Sequence, residues 1–147
     1  MGVRFQIDSK AVHDEIVSLM TKSDDVRPAL QQFGRWATRR KIPENFERSV
    51  DAYGKRWAAL APATLTPERL TFGTKPLVKT KKLKNSFRYR TSKKEVKLFN
   101  TQPYFKFHQS RAPRKRLPRR AALPDVETGI PKSWTDRFKE ELEVHFR

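Results

Sequence analysis

The sequence predicts an α+β fold: a small antiparallel sheet packed against two or three helices, with a long extended connection and a basic, Pro/Arg-rich arm. Three observations carry that prediction. Apolar residues alternate with polar ones at Val3, Phe5 and Ile7 and again at Phe87, Tyr89, Val96 and Leu98, the period-2 signature of half-buried strands. They recur at intervals of three and four at Val12, Ile16, Leu19 and Met20, at Leu30, Phe33, Trp36 and Ala37, and at Trp134, Phe138, Leu142 and Phe146, the spacing of one helical face. Between 61 and 84 and again between 111 and 124, prolines interrupt both periods.

In chain order, the opening strand gives way at Asp8 or Ser9, either a suitable N-cap, to a helix from Lys10 to Thr21 that ends near Ser23. Asp24 and Asp25 cap a second helix starting around Pro28, a residue suited to a first turn. Pro43 removes a backbone donor and clashes with the preceding turn, so the helix is expected to kink or restart there, carrying Phe46 and Val50 inward. The run DAYGKRWAAL turns at Gly54 and brings Trp57 and Leu60 onto the helices. Residues 61–84, with Pro62, Pro67, Gly73 and Pro76, read as an extended connection, and long structureless connections in compact domains tend to serve binding or assembly. Ser92 to Glu95 then turns a hairpin. Pro103 begins another extended piece holding Tyr104, Phe105, Phe107 and His108. Pro113, Pro118 and Pro124 exclude helix and disfavour a central strand in the basic run that follows, and 131–146 closes the chain as an amphipathic helix.

A chain of 147 residues has room for one core, so 1–147 is read as a single domain. Its 33 Lys and Arg against 16 Asp and Glu leave +17, with 36% apolar residues and ten prolines. Between Lys79 and Arg120, sixteen basic residues face one acid, Glu95; the remaining segments are nearly balanced. Such charge opposes its own compact state and attracts polyanions, so nucleic acid, acidic protein surfaces or a self-assembly neutralised by either lead the classes of partner. No stretch approaches the roughly 20 apolar residues of a membrane span, and MGVRFQIDSK lacks a signal-peptide run; neither membrane insertion nor secretion is expected. Zero cysteines exclude disulfides, thiolate metal sites and cysteine nucleophiles.

His13, His108 and His145 stand on different elements without metal-ligand spacing, and no Gly-rich phosphate loop, nucleophile elbow or HExxH is present. His108, beside Tyr104 and Phe107, is read as structural before catalytic, and no cofactor or metal is expected. A basic hydrolase built on His108 would need an acid–base constellation that these histidines do not supply. The arm residues Arg111, Arg114, Lys115, Arg116, Arg119 and Arg120 have two readings of similar weight: a solvated loop, or a segment touching nucleic-acid backbone without reading bases. Tyr89, Tyr104 and Phe105 are core residues first and stacking platforms second.

From Phe46 the run FERSVDAYGKRWAALAPATL resembles the phage virion-morphogenesis, or tail-completion, family. Phe46, Gly54, Trp57, Leu60, Pro62 and Thr64 match its helix-ending Phe and the Gly, Trp, Leu and Pro-x-Thr that follow. Lys75-Pro76-Leu77, Leu83 to Phe87, and Tyr104-Phe105-x-x-His108-Gln109 continue the likeness, the last resembling a strand in relatives, and Arg111 to Pro124 matches their arginine- and proline-rich loop. Lys81 and Ser110 stand where relatives usually carry glycine. The resemblance covers about Val3 to Asp125 and does not extend to the last helix. It implies a non-enzymatic structural protein of the virion neck: a subunit of a homo-oligomeric ring, hexameric by expectation, at the head-proximal end of the tail. The ring would complete the tail, contact tail-tube or head-connector proteins, and enable joining to the DNA-filled head. Six copies would carry roughly +100, which passing double-stranded DNA or acidic neighbours would offset. The arm then either seals a subunit interface or faces DNA. A free, sequence-nonspecific nucleic-acid-binding protein would share the composition and differ in oligomeric state.

Overall fold

The computed structural model describes residues 2–4, 10–77, 81–111, 118–125 and 128–147. Its elements are β1 (Gly2–Arg4), α1 (Lys10–Met20), α2 (Arg27–Trp36), α3 (Ile42–Arg48), the single turn α4 (Pro67–Leu70), β2 (Phe87–Thr91), β3 (Val96–Asn100), α5 (Phe105–Gln109) and α6 (Lys132–His145). The sheet is antiparallel in the order β1-β3-β2. The expected hairpin is present, with Tyr89 opposite Leu98 and Thr91 opposite Val96, and the opening strand pairs with β3 over Gly2–Arg4. The expected caps Asp8 and Ser9 lie outside the described residues, as do Phe5 and Ile7.

Helix α2 starts at Arg27, one residue before the proline, and its cap position is Val26. Asp25 still serves the start: its Oδ1 accepts the Arg27 N–H at 3.0 Å and its carboxylate pairs with the Arg27 guanidinium at 2.7 Å. At Pro43 the helix neither breaks nor restarts. A π-helical turn over Ala37–Lys41 joins α2 to α3, with helical dihedrals on both sides of each junction and the Ile42 N–H reaching back to Ala37. The wider turn accommodates a residue that has no N–H to give and crowds the carbonyl four before it. The helical run ends at Ser49, which takes the left-handed conformation at φ 53°.

The Gly54 turn forms as expected, with Gly54 at φ +83°. Asp51 Oδ1 accepts the N–H groups of Tyr53 and Lys55, both at 2.9 Å, and Trp57 N–H closes the loop on the Ser49 carbonyl. Val50 leaves the helix and makes an isolated bridge with Arg56.

The connection is less bare than its proline content suggests. It holds a 3-10 turn at Pro62–Thr64, α4 with Thr66 Oγ1 capping the Arg69 N–H, and a 3-10 turn at Lys84–Ser86. A threonine before a proline is a local helix-start signal. Buried Arg69 donates to the carbonyls of Gly73 and Lys75, tying the segment to itself, and Glu47 on α3 takes Lys75 and Lys84 at 2.9 and 2.6 Å.

Two aromatic groups fill the core. Phe46 meets Trp57 and Phe87 edge-on at 5.0 and 5.8 Å, and Phe87 meets Phe105 at 5.3 Å. On the other side Phe33 and Trp36 pack against Trp134 and Phe138 of α6. The terminal helix, predicted from its four-residue spacing, thus buries Trp134, Phe138 and Leu142 against α2. Among the described residues, no helix is long and apolar enough to cross a membrane.

Candidate functional site

The motif residues and the flanks of the basic arm meet in one place. Tyr104 to Gln109 is not the extended piece expected to begin at Pro103. Asn100 Oδ1 accepts the Gln102 N–H at 2.9 Å to start a turn, Pro103 follows, and α5 begins at Phe105. Phe105 enters the core at 1% exposure, while Tyr104 and Phe107 face outward at 38% and 55%. His108 is half-buried and sits edge-on to Tyr104 at 6.4 Å.

Gln109 is buried at the end of α5 and its amide is divided among three backbone groups. Its Oε1 accepts the N–H of Ala122 and of Leu123, each at 3.0 Å, and its Nε2 donates to the Leu123 carbonyl at 2.7 Å. A glutamine side chain used this way replaces a sheet partner for an irregular segment whose polar groups would otherwise be buried unpaired. Trp57 acts from the opposite side. Its ring packs on Phe46 and its Nε1 donates to the Ala121 carbonyl at 2.9 Å.

The end of the basic run is therefore not exposed. From Pro118 the chain turns inward, and Arg120, Ala121, Ala122, Leu123 and Pro124 are buried. The apolar run Ala121–Pro124, embedded in arginines, was the available signal. Arg120 donates to the Ala58 and Ala59 carbonyls at 2.8 and 3.0 Å, so its guanidinium serves the fold; burial lowers its pKa from the usual arginine value. Half-buried Leu60 and exposed Pro62 continue the segment that Arg120 grips.

Asp125 gathers both flanks of the arm. It takes Arg111 at 2.8 Å and Arg119 at 3.3 Å, and Arg119 Nε also donates to the Gln109 carbonyl. Burial pushes the Asp125 carboxyl up, but the Thr128 N–H and the Arg111 guanidinium outweigh that and hold its pKa at about 2. Tyr53 secures the next turn: its hydroxyl accepts the Asp125 N–H at 2.9 Å and donates to Gly129 at 2.5 Å. Asp125 and Tyr53 were not singled out from the sequence, since their roles arise only when 53 and 125–129 meet. Arg114, Lys115 and Arg116 lie outside the described residues, between flanks that Arg111, Arg119 and Arg120 anchor.

This constellation is a clamp on backbone. Among the described residues, no group of three His, Asp or Glu is placed to hold a metal ion. Its motif residues Gln109 and Trp57 hold the segment that follows the basic run in a small α+β fold. Comparison with known families matches residues 7–133 to the phage virion morphogenesis family, and the chain belongs to that family. Its role is thus in building a phage virion. No curated protein and no solved structure matches the chain.

Proposed function

We propose that the protein is a subunit of a homo-oligomeric ring in the phage neck, at the head-proximal end of the tail, that completes the tail and enables head-tail joining without enzymatic chemistry. The observation that carries this reading is the clamp. Gln109, Trp57, Tyr53 and Asp125 use their polar atoms on the flanks of one basic loop, which is what a protein does when a surface loop must dock reproducibly on a neighbour. A charge of +17 per copy suits a position between acidic subunits and the DNA-filled head.

The test is imaging of particles made without this chain. Full heads and separate tails are the expected products, and supplying the chain in trans should restore joined particles. Normally joined, infectious particles in its absence would overturn the proposal. Replacement of Arg114 and Arg116 by Lys, with Arg119 kept because it serves the clamp, keeps the charge and removes the bidentate fork. Failed rings would assign the arm to a subunit interface; normal function would assign it to DNA.

A further inference from the structure

A second feature adjoins the clamp at Tyr53. A cleft of about 700 Å³ opens between the end of α3, the Gly54 turn and the start of α6, with Lys41, Asn45, Arg48, Arg56, Lys132 and Ser133 in its lining. Four of these are cations. Lys41 and Arg56 have no ion-pair partner among the described residues, Arg48 reaches Glu44 only at 3.8 Å, and Lys132 is paired with Asp136 at 2.9 Å.

Two further groups point to an anion. Helix α6 is 14 residues long and starts here with Pro131 in the cap position and no side-chain cap. The first N–H groups of a helix have no partner within it and carry partial positive charge. Asn45 is 5% exposed, and its Nδ2 has no acceptor among the described residues. A buried amide donor is costly to leave unpaired. The cations and the helix start, with Asn45 in the cleft wall, favour one chemistry, an oxyanion.

We propose that this cleft is the receiving half of the subunit contact in the ring and takes the exposed carboxylates of α6, Glu140 foremost and Glu143 beside it, from the next copy. The proposal rests on the ring reading. Glu140 is exposed and has no ion pair among the described residues, and Glu143 reaches Lys139 only at 3.8 Å. Neither fills the cleft of its own chain, because Ser133 and Glu140 are separated by about 10 Å of helical rise. Acceptor and donor are thus different patches of one molecule. A head-to-tail contact between them leaves one of each free at the ends and so closes into a ring, whereas an antiparallel two-fold pairing of α6 would satisfy both at once and stop at a dimer. A recessed cleft backed by a buried amide suits a side chain projecting from a convex helix better than the backbone of a duplex.

The absence of cysteine makes the test clean. Ser133→Cys and Glu140→Cys in one chain lie too far apart along α6 for an internal disulfide, which needs Cα atoms within roughly 7 Å. Mild oxidation of the double variant is expected to give a ladder of cross-linked species up to the ring, while either single variant gives none. Arg56→Glu should lower the ring fraction in sedimentation velocity at least about tenfold with an unchanged melting temperature, and adding Glu140→Arg should restore it. Wild-type rings without a ladder and indifferent to Arg56→Glu would overturn the inference and leave the ring standing. A double variant whose cross-linking stops at a dimer would overturn it in favour of a two-fold contact. Unchanged rings with loss of a fluorescent 20-base-pair duplex on Arg56→Glu would overturn it in favour of DNA phosphate. Wild-type chains that stay monomeric even on purified tails would overturn the ring and the inference together.

Discussion

Replacing Gln109 by Met keeps the length and volume of the side chain and removes both of the polar side-chain atoms that Gln109 gives to the clamp. The wild-type amide satisfies two N–H groups and one carbonyl of Ala122 and Leu123, both residues under 5% exposed. A buried backbone group left without its partner costs about 1–3 kcal/mol. Three such groups sum to about 3–6 kcal/mol at the lower end of that range, which allows water to reach some of them. A domain of this size has only about 5–15 kcal/mol in total, so the loss is a large fraction of its stability. At about 2–4 °C per kcal/mol, Gln109→Met should melt roughly 6–20 °C below wild type. The loss should also be local before it is global, because the released segment carries Arg119 and buried Arg120. Trypsin, under conditions that leave the rest of the chain intact, should cut after these arginines markedly faster in the variant. A melting temperature within about 2 °C of wild type, together with unchanged cleavage at 119 and 120, would refute the clamp.

Trp57→Ala should cost about 3–5 kcal/mol from lost packing on Phe46, whereas Trp57→Phe, which forfeits mainly the bond to the Ala121 carbonyl, should cost about 1 kcal/mol; chemical denaturation separates the two. Gly34→Ala would ordinarily strengthen a helix by up to about 1 kcal/mol, but the added Cβ would meet the Tyr89 ring at 2.6 Å. Net destabilisation of about 1–3 kcal/mol from overpacking is expected instead; stabilisation by calorimetry would contradict the α2–β2 packing. Asp125 has a folded pKa of about 2, below the ordinary 3.8, so the stability it contributes is complete above about pH 4 and lost as pH falls through 2. Asp125→Asn should therefore melt below wild type at pH 6 and lose less between pH 4 and pH 2. Since no titratable pair at the clamp demands acid–base work, His108→Gln should leave infectious-particle yield within about tenfold. A loss of several orders of magnitude with normal rings would point to chemistry.

Periodicity by itself determined the helices on either side of Asp24, the hairpin with its four-residue turn, and the terminal helix, because each buries one face along its own length and that face is written at fixed spacing. The order of Phe46, Gly54, Trp57, Tyr104, His108 and Gln109 determined the family. The absence of cysteine excluded thiol chemistry, and the charge pointed to anionic partners. Three things were decided only by tertiary structure. Whether Pro43 breaks a helix or is absorbed by a π turn depends on what holds Phe46 and Ile42 in the core, and no local rule contains that. Whether Arg120 is part of an exposed arm or a buried strut depends on two carbonyls sixty residues earlier. The segment after Pro103 became a helix and not an extended piece, because the sheet already had its strands and one inward Phe105 was enough to seat a single helical turn. The cleft at Asn45 belongs with these: residues 41, 48, 56 and 132 come together only because α6, packed on α2, starts near the end of α3 and the Gly54 turn, so their shared charge has no counterpart in any run of the sequence.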